Sequence, residues 1–317
     1  MTSVGLATPA GRRRTGAPFA AGTFGQRRRL FLLALGLPSL LYVIAVALVP
    51  LAQGMWLSLF EYNLLRPDRR AFVGLDNYLE QISDPVVQQA LWNTLVFTVL
   101  AVGIEFLLGL GLALLLWRDS LFNRVALALM LVPVAVTPLV VGLVFRALLT
   151  ADFGMIGHFA AQWGLSGERG FFGYPNSAMG ALIFIDVWQW TPLMALILLA
   201  GLKALPQEAI EAADVAGASP WQKLRLVIVP MLLPAIFLAL VLRTMDAFRI
   251  FDSVFVTTKG GPDNATNVLM FHAVKEGLEF FNIGDASALS NLMLAAIGLI
   301  AAGFVLVIRR ADRRMLG

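Results

Sequence analysis

The chain has 317 residues, 59% of them hydrophobic and 14% charged, with a formal net charge of +4 and no cysteine. A soluble domain carries about a quarter charged residues, so this composition points to a membrane protein, and the lack of cysteine excludes disulfides and thiolate metal sites. The basic excess does not read as a nucleic-acid surface, because the arginines cluster beside apolar runs rather than lining a groove with aromatics; they mark topology instead.

Residues 1–29 carry Gly, Pro, Thr and Arg without apolar periodicity and are expected to form a disordered basic cytoplasmic tail. Six apolar stretches then reach the length of about 20 residues that crosses a bilayer. They fall at about 30–51, 92–117, 123–149, 178–202, 226–246 and 287–308. Together they define one six-span membrane domain over 30–310 and a short C-terminal cytoplasmic tail over 311–317. The first stretch follows Arg27, Arg28 and Arg29 as a signal peptide would, but no small-residue cleavage site follows it, so it reads as a retained span. With both termini in the cytoplasm, 15 Lys and Arg fall inside and 7 outside, the bias that orients membrane proteins. The run RPDRR at 66–70 sits on the other side of this model, in a long loop, where the rule weakens.

The outer loops (52–91, 150–177 and 247–286) are longer than the inner ones. Within the first, residues 71–94 read as helical, with Leu75, Tyr78, Leu79 and Ile82 recurring at i, i+3, i+4 and i+7. Inside the spans, Glu105, Thr137, Asp186, Gln189, Trp190, Arg243 and Asp246 stand out, since polar groups there are costly and tend to be functional. Asp186, Gln189 and Trp190 share one helical face, where an acid, an amide and an indole can bind and stack on a sugar; interhelical hydrogen bonding explains them as well. Glu105 reads equally as an ion pair between helices. Arg243, Asp246 and Arg249 are spaced for a local ion-pair ladder or for a gate. TTKGGPDN at 257–264 is turn-rich, either a connector or a docking loop.

Enzyme signatures are missing. There is no P-loop and no H-E-x-x-H. His158 and His272 are isolated, whereas metal ligands come in sets, and Ser39, Ser58 and Ser290 lie in no nucleophile elbow. An intramembrane enzyme would have to use Glu105 and Asp186 as an acid–base pair, with carboxylates about 5–10 Å apart.

Between the fourth and fifth spans runs EAADVAGASPWQKLRLVIVPMLLP, residues 211–234. Pro206, Glu208 and Glu211 suit a helix start. Ala209, Ala212, Ala213 and Ala216 fall on one small, smooth face. Gly217 suits a helix end with positive φ, and Ser219-Pro220 turns the chain. Leu224, Val227 and Ile228 then begin an apolar face. Spacing alone leaves open whether this is a surface connection or a docking helix. Pro230 and Pro234 lie one turn apart and are expected to break the helix into a bend that links the loop to the fifth span.

EAA, then GA at Gly217 and Ala218, then Leu224, Val227, Pro230 and Pro234, resembles the EAA loop of permease subunits of binding-protein-dependent ABC importers. Ala216 stands where that pattern has Asp, with Asp214 two positions earlier; Leu224 replaces Phe and Val227 replaces Ile. WLSLF at 56–60, FVGLDNY at 72–78, NTLVFT at 93–98 and RTMDAFRIFDSVFVTTKGGP at 243–262 resemble the maltose-type sugar permeases of that superfamily, and RTMDAFRIFD also resembles trehalose-type members. The resemblance covers residues 30–310. It implies an all-α, six-span permease of the type I importer fold, passing a di- or oligosaccharide and performing no covalent chemistry. Glu211, Ala212, Ala213, Gly217 and Ala218 would dock a coupling helix on an ATPase subunit. Gly260, Gly261 and Pro262 would face an extracytoplasmic sugar-binding protein. A second homologous permease and two ATPase copies would complete the assembly, with ATP and Mg on the ATPase and no cofactor on this chain. The alternative is a secondary transporter working as a homodimer without ATP; such proteins usually show internal repeats, and none is visible here.

Overall fold

The computed structural model describes residues 21–164 and 169–315. Of the expected tails, residues 1–20 and 316–317 lie outside the described residues. Ala21–Arg29, assigned to the tail from sequence, are helical, and so are 311–315. The chain separates into two compact units, Met1–Gln53 and Gly54–Gly317.

Helix α1 (Ala21–Val43) of the first unit passes through a π-helical turn at Ile44–Leu48 into α2 (Val49–Leu57), whose residues from Gly54 on belong to the second unit. Residues 35–53 are all exposed. The π turn has a local cause. The Val49 N–H reaches back five residues to the Ile44 carbonyl, and Pro50 follows. Proline has no N–H to donate and its ring crowds the carbonyl four residues earlier; widening the turn before it moves that carbonyl away. The same device recurs in the second unit. Leu224–Ile228 is π-helical, the Val229 N–H bonds to Leu224, and Pro230 follows.

The second unit contains, in order, strands β1 (Phe60–Glu61) and β2 (Ala71–Phe72), which pair antiparallel, and helices α3 (Asp76–Ser83), α4 (Pro85–Leu115), α5 (Leu121–Ala135), α6 (Pro138–Leu149) and α7 (Met155–Gln162). There follow α8 (Pro175–Lys203), α9 (Gln207–Val215), α10 (Pro220–Lys223), α11 (Val229–Ala247), α12 (Asp252–Thr257), α13 (Leu269–Leu278) and α14 (Ile283–Met315). Among the described residues of the chain, five continuous segments are long and apolar enough to cross a membrane: Leu35–Leu57, Pro85–Leu115, Pro175–Lys203, Pro220–Thr257 and Ile283–Arg310.

The sixth is not the straight span expected over 123–149. α5 and α6 meet at 93°. Pro138 withholds an N–H, and the residue before a proline avoids helical angles; Val136 and Thr137 are both extended, at ψ 137° and 141°. The break expected at Pro230 and Pro234 is absent, since α11 runs through both. The helix expected over 71–94 begins only at Asp76 and is divided at Asp84, whose carboxylate caps α4 by accepting from the Val86 N–H at 2.7 Å.

The core lies where α4, α8 and α11 meet. Phe97, Ala101, Leu182, Met194, Leu198, Leu232 and Ala239 are buried there. Close approach depends on small residues: a methyl group at Gly109 would sit 2.7 Å from Met194 Cγ, and one at Gly201 would sit 2.5 Å from Ala235 Cβ.

Candidate functional site

The buried polar centre is built around Arg243 of α11, which is 1% exposed. Its Nε donates to Glu105 Oε2 at 2.7 Å, and its Nη2 donates to Glu105 Oε1 at 2.8 Å. Nη2 also donates to Asp186 Oδ2 at 2.7 Å and Nη1 to Asp246 Oδ2 at 2.5 Å. The guanidinium carbon lies 4.9 Å from the centre of the Trp190 ring. Helices α4, α8 and α11 are thus fastened at one point by one cation. A fork of fixed N–H donors meeting a carboxylate two-to-two is a strong, directional pair. Glu105 has both oxygens committed to it, so the acid–base pair with Asp186 has no free carboxylate on the Glu105 side. Asp246 is half-exposed and also lies 3.9 Å from Arg249, so the i, i+3 ladder exists beside the interhelical pairs.

Gln189 does not join this centre. Its Nε2 donates to the Val136 carbonyl at 2.9 Å, satisfying an acceptor that the α5–α6 break removed from the helix ladder. Thr137 sits in the same break, exposed. Of the polar span residues singled out, then, Glu105, Asp186, Trp190, Arg243 and Asp246 converge, while Gln189 and Thr137 serve the bend. Against the cluster lies a small cavity of about 90 Å³, lined by Asp186, Trp190, Asp246, Arg249, Phe251 and Asp252. Sequence reasoning missed Phe251 and Asp252; the signal was their place in RTMDAFRIFD beside Asp246.

The loop between α8 and α11 has the opposite character. α9 ends in a Schellman motif: the Gly217 N–H bonds to the Asp214 carbonyl and the Ala218 N–H to the Ala213 carbonyl, both at 3.0 Å, with Gly217 at φ +75°. Ser219 then starts α10 with a capping box, its Oγ accepting from the Gln222 N–H and its N–H donating to Gln222 Oε1. Lys223 Nζ meets Asp214 Oδ1 at 2.5 Å across the turn, so the displaced Asp of the EAA pattern pairs within the loop. Glu211, Ala212 and Gly217 are exposed, whereas Ala213 and Ala218 are half-buried. The small face expected for α9 is therefore split between the bundle side and the open side. Val215, 90% exposed, and Trp221 add apolar surface that the sequence reading passed over. Nearby, Lys203 Nζ donates to Asp119 Oδ1 at 2.8 Å, and this bond holds the Asp119 carboxyl below its ordinary pKa.

The loop 257–264 is not a slack connector. Asn93 of α4 donates to the carbonyls of Asn264 and Asn267 at 2.8 and 2.9 Å, and Thr266 Oγ1 donates to the Gly261 carbonyl at 2.7 Å. Gly260, with φ +83°, is buried so closely that a methyl group on it would lie 3.0 Å from Phe271. Gly260 therefore presents no surface, and Gly261 and Pro262 are half-buried; the exposed tip is Lys259, Asp263 and Asn264. His158 lies beside Gln162 and His272 beside Asn267. Among the described residues no group of His, Cys, Asp and Glu could hold a metal.

Residues 105–316 match the family of binding-protein-dependent transport system inner membrane components. Over 294 residues the chain is 36% identical to the trehalose transport system permease protein SugA of Mycobacterium tuberculosis, covering 92% of this chain and 91% of that one. It is 34% identical over 264 residues to the trehalose/maltose transport system permease protein MalF of Thermococcus litoralis, covering 82% and 88%. Its fold aligns with a chain of a bacterial alginate ABC transporter solved with an alginate pentasaccharide-bound periplasmic protein, at a TM-score of 0.76 and 18% identity, over 90% of this chain and 96% of that one.

Proposed function

The chain belongs to the binding-protein-dependent transport system inner membrane components, and from that premise we propose that it is the permease subunit of an ATP-driven importer of di- or oligosaccharides. The observation that carries this reading is the loop at 206–223, whose central turn is closed by its own residues, a Schellman motif ending α9 and a capping box starting α10, and which exposes Glu211, Ala212, Val215 and Gly217. Such a loop has its turn set by its own residues, packs Ile210 and Leu224 against the core, and offers a small, smooth surface to a partner. In this reading the loop is cytosolic, both termini are cytoplasmic, and an ATPase subunit receives α9, with Ala213 and Ala218 packing behind the contact face. Closure of two ATPase copies then moves α9. The displacement passes through the π turn and the Pro230 and Pro234 region of α11 to Arg243, and so to α4 and α8.

Sugar would pass Trp190, Phe251, Asp186, Asp246 and Asp252, where aromatic faces and carboxylates suit hydroxyl-rich rings. A cavity of about 90 Å³ is well below the roughly 300 Å³ of a small-ligand site. A second, similar permease supplies the opposite wall in this proposal. The braced tip at Lys259, Asp263 and Asn264 faces the soluble sugar-binding protein. The substrate class rests on the relatives that carry trehalose or maltose in their names.

The test is uptake of labelled trehalose and maltose by vesicles containing the assembled complex, with and without ATP and with and without binding protein. Uptake that needs both supports the proposal. Uptake by this chain alone, without ATP, restores the secondary-transporter alternative.

A further inference from the structure

One helix of the second unit faces the wrong way for a protein surrounded by water. α3 buries Asn77 and Gln81 and leaves Leu75, Leu79 and Ile82 exposed. The inversion is fixed by hydrogen bonds. Asn77 Nδ2 donates to the carbonyls of Ser58 and Phe60 at 2.8 and 2.9 Å. The Tyr78 hydroxyl lies 2.6 Å from Ser58 Oγ and accepts from Asn291 Nδ2 of α14 at 3.0 Å. The helix cannot roll its apolar stripe inward without breaking this network.

The stripe does not end with the helix. Ile82 lines an almost wholly apolar groove of about 190 Å³ with Val87 and Leu91 of α4 and Leu289, Leu292 and Met293 of α14. Beyond it the exposed face of α4 continues through Leu95, Val99 and Leu100, the surface of a membrane span. Depth agrees. The 31 residues of α4 extend about 46 Å at ~1.5 Å per residue, against a hydrocarbon core of about 30 Å, so an end of α4 reaches the headgroup layer. Exposed Trp56, Trp92, Arg66, Arg69 and Arg70 accompany the Pro85 end, the residue types that collect at membrane–water interfaces.

We propose that the groove between α3, α4 and α14 holds a phospholipid acyl chain, with α3 lying in the interface and its apolar stripe turned into the bilayer. The polar surroundings carry both signs with an acidic excess, Arg66 and Arg69 with Glu61, Asp76, Glu80 and Asp285, which disfavours an anionic headgroup and suits a zwitterionic one.

Since the chain has no cysteine, the test is direct. Leu79→Cys, Leu292→Cys and Glu80→Cys are each labelled with a nitroxide in the assembled transporter, with partner cysteines replaced, in phosphatidylethanolamine–phosphatidylcholine vesicles. At Leu79 and Leu292, collisions with oxygen should exceed those with an aqueous nickel chelate several-fold, and at Glu80 the order should reverse. The proposal fails if the chelate reaches Leu79 as readily as Glu80. It fails equally if neither reagent reaches Leu79 or Leu292 in the complex while both positions open in the isolated chain, because a partner subunit then covers the groove. A groove-filling Leu292→Trp variant should retain less co-purifying phospholipid in native mass spectrometry; unchanged lipid retention counts against the groove.

Discussion

The Arg243 cluster and the α9–α10 loop use polar groups in opposite ways. In the cluster, one buried guanidinium answers carboxylates that come from residues 105, 186 and 246, on three helices. In the loop, every cap and ion pair joins residues fewer than ten positions apart. The first arrangement exists only when the bundle is assembled, and it ties three helices to one side chain. The second is made within a short stretch of chain and leaves its outer side chains uncommitted. The proposed coupling uses both kinds of part: a contact element whose turn is set by its own residues, and a junction that would pass its displacement on to several helices.

The largest effect is expected at the junction. Arg243→Met leaves Glu105 and Asp186 buried without their cation, and breaking a buried pair from one side costs about 3–5 kcal/mol. Loss of folded protein in detergent, followed by thermal melting, checks this. Replacing Glu105, Asp186 and Arg243 together by apolar residues of similar volume should recover much of the stability but no transport. In the loop the order reverses, with function falling and the fold surviving. Gly217→Val forces a β-branched residue to φ +75°, at a local cost of about 1–2 kcal/mol. Stimulation of the partner ATPase should drop at least about tenfold, the equivalent of 1.4 kcal/mol, while the melting curve changes little.

A smaller effect separates Pro230 from its expected role as a break. Pro230→Ala returns an N–H to the ladder, so the π turn at 224–228 should close to an α turn with a stability change below about 1 kcal/mol. Transport and coupling unchanged in the Pro230→Ala, Pro234→Ala pair would remove the two prolines from the transmission path. The smallest effect concerns His272. Burial lowers its pKa, so the folded state disfavours the proton that the unfolded chain accepts. Stability is therefore full above the ordinary histidine value of about 6.5 and declines below it, by no more than about 1.4 kcal/mol per pH unit. Melting followed between pH 5 and 8 should show this slope in the parent chain and a flatter one in His272→Gln.

How legible each region was follows from the same contrast. The loop could be read almost residue by residue, because Gly217, Ser219 and Pro220 act on their own neighbours; only the exposure of Val215 and the division of the alanine face needed the bundle. The cluster could be read only as a set of costly residues, since no spacing tells Glu105 that its partner is 138 positions away. Gln189 shows the limit: it shares a helical face with Asp186, yet serves the α5–α6 break. That break was written in the sequence as Thr137-Pro138, but the apolar run over 123–149 masked it. The apolar period of α3 marked a helix but not which way its stripe turns, since the rule that apolar faces turn inward assumes water outside.

The most direct measurement is a cross-link from Val215→Cys, at the exposed apex of the loop, to the ATPase subunit in native membranes, read by mass spectrometry. A defined cross-link to an ATPase cleft, lost when Gly217→Val is added, is the result this account predicts. A Val215→Cys chain that cross-links only to itself or to lipid, in membranes where binding-protein-dependent uptake is intact, would contradict it.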